Sequence, residues 1–222
     1  MGDRDAQNNL GTMLLHGIGC EADPERAVYW YTQSAGQGLA VAQYNLAHRL
    51  SNGEGIGQDH VQALHWFTEA TRSGDIAAAR ELGTMYWLGE GVSANLLAAA
   101  DFHLIAAEGG DDLACRNLVQ YVDELQAIAI TGSQMASFFL SRTFNRGFGV
   151  AKSQSWTWAW IRWAQERCAP DEDPEIVGDV EESYRFYQSV IPLKTRRKGE
   201  RDLEALILSA ANPSSAPPQE TP

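Results

Sequence analysis

Cysteine is scarce in this chain. Cys20, Cys115 and Cys168 are the only three in 222 residues. They form no CxxC pair and have no histidine at metal-ligand spacing, which argues against a zinc site. Three reduced, partly buried thiols in a cytosolic protein are expected. Basic residues are also few: 17 Lys and Arg stand against 29 Asp and Glu, a net charge of −12. A nucleic acid would have to approach through that field, so it is not expected as a partner. Apolar runs stay well short of the ~20 residues a membrane span needs. The start, Met1-Gly2-Asp3-Arg4-Asp5, lacks the apolar stretch of a secretory signal. Ala6 stands where myristoylation wants Ser or Thr. The compartment expected is cytoplasmic, unless a truncated N-terminus has lost an export signal.

Catalytic signatures are missing as well. No GxSxG, HExxH, Walker A or SxxK pattern occurs. Gly53-Glu54-Gly55-Ile56-Gly57 is glycine-rich, but it follows a helical pattern rather than a strand, so a phosphate loop is not expected. His60 and His65 are five residues apart and point to different helix faces. The residues call for no metal and no cofactor.

What the chain does have is a repeat. Leu10-Gly11, Leu46-Ala47 and Leu82-Gly83 recur at a step of 36 residues. The same step carries Gly17/Gly19 to Gly53/Gly55 and Gly89/Gly91, and Asp23 to Asp59 and Asn95. It also carries Ala27 to Ala63 and Ala99, Trp30 to Trp66 and Phe102, and Tyr31 to Phe67 and His103. Gly38, Gly74 and Gly110 close the units. Such a period is the mark of stacked supersecondary units.

Each unit reads as two helices. Ala6, Leu10 and Leu14 make an apolar stripe on a first helix, repeated by Ala42, Leu46 and Leu50 and by Ala78, Leu82 and Tyr86. Glycine after each stripe ends that helix. Asp23-Pro24 opens the second helix as N-cap and first helical residue, and Asp59 with Gln62 has capping-box spacing. Trp30, Trp66 and Phe102 are expected to fill the gaps between units, each worth roughly 2–3 kcal/mol when buried. His103, in the slot of Tyr31 and Phe67, reads as a packed ring.

The pattern Leu-Gly-x-x-Tyr-x-x-Gly-x-Gly-Val, then Asp, then Ala-x-x-Trp-Tyr-x-x-Ala-Ala, resembles the Sel-one-like repeat (SLR). Leu82-Gly83-Thr84-Met85-Tyr86-Trp87-Leu88-Gly89-Glu90-Gly91-Val92 matches best, while Leu14, Leu50, Cys20 and Ile56 depart from it. The resemblance implies an all-α fold: a right-handed α/α superhelical solenoid of 36-residue helix-turn-helix repeats related to tetratricopeptide repeats. The solenoid is expected over 3–169, with repeats near 5–38, 41–74 and 77–110, a degenerate unit at 112–132 and a further one at 135–168. The motif returns at Leu140, Phe144, Gly147, Gly149 and Val150, with helices expected at 113–130 and 133–146. A helical cap is expected over 170–210: a helix from Asp173 to about Ile191 with an acidic front, then a short one at 199–210. Residues 211–222 read as a disordered tail.

In tetratricopeptide-type solenoids the first helices line a concave face, and the resemblance implies the same here. Offsets of −2, +2, +5 and +6 from the buried leucine lie off the apolar stripe. The residues expected to bind a partner there are Tyr44, His48, Arg80, Thr84, Trp87, Phe138, Arg142 and Arg146. Arg80, Arg142 and Arg146 suit an acidic segment or a C-terminal carboxylate. In the tryptophan-rich stretch, Trp156, Trp160 and Trp163 share a face and read as core, while Trp158 reads as exposed. The function expected is a non-enzymatic scaffold or adaptor that binds a protein or peptide. Two alternatives stay open: a β-lactam-binding or hydrolase-type enzyme of the wider family, and a structural fragment of a longer repeat protein. Cysteine-rich relatives bridge each repeat with disulfides, a spacing this chain lacks.

Overall fold

Three helical hairpins repeat at the predicted step. The computed structural model describes residues 2–167 and 174–211. Cys168, Asp171, Glu172 and Asp173, and the tail from 212 to 222, lie outside them. The hairpins are α1 (Arg4–His16) with α2 (Pro24–Ala35), α3 (Ala40–Asn52) with α4 (His60–Arg72), and α5 (Ile76–Leu88) with α6 (Leu96–Glu108). Then come α7 (Asp112–Gln120), α8 (Val122–Ile130), α9 (Gln134–Arg146), α10 (Gln154–Glu166), α11 (Pro174–Val190) and α12 (Leu193–Ala211). Among the described residues there is no strand, and no helix is long and apolar enough to cross a membrane.

Boundaries follow the capping chemistry. Gly17, Gly53, Gly89 and Gly147 end the first helices at φ of 67°, 73°, 76° and 78°, the left-handed region that side chains disfavour. Asp23, Asp59, Asn95 and Ser153 cap the second helices, each accepting from a backbone N–H two or three residues on. The capping box at Asp59 takes a different form. The Asp59 N–H already donates to the Leu50 carbonyl at 2.9 Å, so the Gln62 side chain donates to the Asp59 carboxylate instead, at 2.8 Å.

The chain divides into two units, Met1–Cys115 and Arg116–Pro222. In the first, each hairpin packs internally, and α2 on α3 and α4 on α5 join the hairpins. Ala42, Leu46 and Leu50 are buried, as are Ala78 and Leu82. The first stripe departs from expectation: Ala6 is exposed and Leu10 is 37% exposed. Leu46 and Leu82 are buried where α2 packs on α3 and α4 on α5. The aromatic positions are also corrected. Trp30, Trp66 and Phe102 are only partly buried, while Tyr31, Phe67 and His103 are at most 2% exposed. The later position is the one that faces the hairpin's own first helix.

The 113–130 segment, which begins in the first unit and continues into the second, is two short helices, broken at the buried Tyr121, whose φ of −128° and ψ of 16° leave the helical region. α8 packs on α9, α9 on α10, and both α11 and α12 pack on α10. Trp158 is buried at 3% exposure, contrary to expectation. Tyr184 of α11 stacks on it with centroids 5.2 Å apart, its indole N–H donates to Glu200 of α12 at 2.9 Å, and Arg196 lies 5.0 Å over the ring. The basic run 194–201 belongs to α12, which begins directly after Pro192, well before residue 199.

Candidate partner-binding face

Adjacent first helices of the first unit are tied through polar side chains. Asn45 on α3 donates to Asn8 on α1 at 3.0 Å. Tyr44 on α3 hydrogen-bonds Arg80 on α5 and lies in the field of Glu81. Burial and then Glu81 push the Tyr44 hydroxyl up from its ordinary range, against the pull of Arg80. Tyr44 and Arg80 therefore sit at the seam between helices, half-buried.

Arg80 is not an open cation. Its Nε donates to Asp111 at 3.0 Å and its Nη1 to Glu81 at 2.7 Å. Burial works against the guanidinium, and the two carboxylates outweigh it and hold it charged. Burial alone would raise the Asp111 carboxyl, but the Ala114 N–H and Arg80 hold it below the usual carboxylate range. Sequence reasoning missed this pairing, although a signal was present: Asp111 falls in the first-helix N-cap slot of Asp3 and Asp75 and caps α7 by accepting from Leu113 and Ala114.

The next position along the face shows why the units differ. Thr12 and Thr84 each meet the buried ring of their own hairpin: Thr12 Oγ1 lies 3.1 Å from the Tyr31 hydroxyl, and Thr84 Oγ1 3.4 Å from His103 Nε2. Phe67 offers no such partner. His48 in the same slot instead accepts at Nδ1 from Arg49 at 2.8 Å and Asn52 at 3.0 Å, which leaves its ring proton on Nε2. His103 hydrogen-bonds the Arg80 backbone, but burial pushes its pKa down to about 4, so it is a neutral packing group. Trp87 is half-buried, and the last offset, His16, Asn52 and Leu88, is exposed.

On α9, in the second unit, the pattern differs. Phe138 is buried at 8% exposure, contrary to its expected place on an open face. Arg142 lies 5.7 Å over its ring, and Asp179, Glu182, Ser183, Phe186 and Tyr187 of α11 line the cavity beside it. Arg142 is half-buried and Arg146 exposed. Among the described residues no cluster of His, Cys, Asp and Glu is arranged to hold a metal.

The Sel1 repeat family model matches residues 4–39, 40–75 and 76–111, the three hairpins of the first unit. The first unit is a run of three Sel1 repeats. Comparison with curated proteins finds no match. Among solved structures, a Sel1 repeat protein from Oxalobacter formigenes is 22% identical, with a TM-score of 0.52, covering 96% of this chain and 88% of that one. A protective antigen of uropathogenic Escherichia coli with an SLR fold, c5321, is 18% identical with a TM-score of 0.54. That alignment covers 95% of this chain and 55% of the antigen. At these identities the likeness speaks for the fold alone, an all-α solenoid of Sel1 repeats.

Proposed function

We propose that this protein is a non-catalytic scaffold that binds a protein or peptide along the first-helix face of its repeats. The observation that carries the reading is the hydrogen bond of Tyr44 with Arg80, which makes row residues of successive hairpins neighbours. His48, Thr84 and Trp87 follow along that face, with Leu88 57% exposed at its rim. Aromatic side chains framed by hydrogen-bonding groups carry most of the energy of such interfaces. An acidic or C-terminal carboxylate segment at Arg80 would have to displace Glu81 or Asp111. At this face the partner therefore contributes apolar and hydrogen-bonding groups. Arg142 and Arg146 belong to a separate stretch of first-helix surface in the second unit, and Phe138 is left out because it is covered.

Selection of a displayed random-peptide library on the purified protein tests the reading. A consensus peptide should be enriched by the wild type and lost by His48→Ala/Trp87→Ala, with the melting temperature little changed. Equal enrichment by both proteins would remove this face from the account. Turnover of the chromogenic β-lactam nitrocefin would overturn the non-catalytic reading.

A further inference from the structure

The second unit holds a cleft in which every lining side chain offers a hydrogen-bond donor. It has a volume of about 390 Å³ and is lined by Ser153, Gln154 and Ser155 at the start of α10, and by Lys194, Thr195, Lys198 and Arg201 of α12. No lining residue carries a carboxylate. Three cations nearby have partners: Arg162 pairs with Glu166 and Glu200, Arg185 with Glu181, and Arg196 lies over Trp158. Lys194, Lys198 and Arg201 form no ion pair with any described residue, in a chain of net charge −12. Local repulsion among three such neighbours is a cost that an anion would relieve.

Backbone packing sets this geometry. A Cβ on Gly199 would stand 1.9 Å from the Ser155 carbonyl oxygen, so α12 lies against the first turn of α10 only because residue 199 has no side chain. The basic residues beside it are thereby held at the mouth of the cleft. Lys194 and Arg201 are seven residues apart, about 10 Å along a helix axis. Carboxylates three residues apart in a polyproline II segment share a face and span a similar distance, at about 3.1 Å per residue.

We propose that this cleft docks an acidic segment of a protein partner, with carboxylates reaching Lys194, Lys198 and Arg201 together. A nucleic acid fits less well, because a long polyanion must also approach the rest of an acidic protein. A bilayer is flat and does not enter a concave cleft. The surface is distinct from the first-helix face and does not depend on it.

Fluorescein-labelled octaglutamate, titrated into the full chain and followed by anisotropy at low and at physiological salt, tests the proposal. The wild type should bind, and affinity should fall as salt rises. Lys194→Gln/Lys198→Gln/Arg201→Gln should weaken binding by about tenfold or more. These side chains are solvent-facing, so the variant should keep the wild-type circular dichroism and melting curve. His48→Ala/Trp87→Ala should bind octaglutamate as the wild type does, which separates this proposal from the one above. Equal binding by the triple variant, equal binding of octaglutamine, or tighter binding of an oligonucleotide or of phosphatidylserine vesicles would each overturn it.

Discussion

A Cβ on Gly83 would stand 2.5 Å from the His103 ring, and one on Gly11 2.9 Å from the Tyr31 ring. The missing methyl group lets each polar ring lie close against its first helix and come within reach of Thr84 or Thr12. The middle unit pairs Ala47 with Phe67 in the same slots and has no such contact. Gly83→Ala should therefore cost about 1–3 kcal/mol through overpacking, read from urea unfolding. Adding His103→Phe, which copies the middle unit, should recover part of that loss. His103 also sets a pH dependence. Its pKa falls from 6.5 to about 4 on folding, so on acidification the unfolded chain takes up the proton first. Stability present above pH 6.5 should be lost as pH falls from 6.5 to 4, by about 3 kcal/mol at ~1.4 kcal/mol per pH unit. Urea midpoints measured across that range should show the slope in the wild type, and His103→Phe should flatten its share of it.

Helix ends were legible because their chemistry is local. A cap needs only a side-chain oxygen within a few residues of the N–H groups it serves, and the αL glycine only its own backbone. Asp75 accepts from the Ala78 N–H at 2.9 Å, so Asp75→Ala should lower stability by about 1 kcal/mol in chemical denaturation. Leu39 shows the limit of this logic. It holds the same slot as Asp3 and Asp75 but makes no side-chain cap and packs against the core instead. The fate of Trp158 was not legible, because its partners Tyr184 and Glu200 lie 26 and 42 residues further on. Helical spacing places Trp158 off the face of Trp156 and Trp160, but it does not reveal what another helix brings to that side.

For the chain as a unit of function, the joint between α10 and α12 is the sensitive point. Gly199→Ala puts a methyl group against the Ser155 carbonyl and should lift α12 from α10. Trypsin should then cut the basic stretch 194–201 many times faster than in the wild type. The hairpins of Met1–Cys115 should resist digestion as before, since their contacts lie in the other unit. Equal digestion rates would show that the backbone contact does not hold the helix.

Period, helix pairing and the family were written in the residues themselves, since a 36-residue repeat of glycine, capping and aromatic positions is a record of local geometry. The candidate face was legible only as a row of positions. Whether each one is open depends on groups distant in sequence: Asp111 closes on Arg80, α11 lines the cavity beside Phe138, and Tyr44 enters the seam between helices. The Lys194, Lys198 and Arg201 cleft likewise exists only because α12 crosses the start of α10 at Gly199. Burial and charge pairing are sums over neighbours in space, and only the folded chain brings those neighbours together.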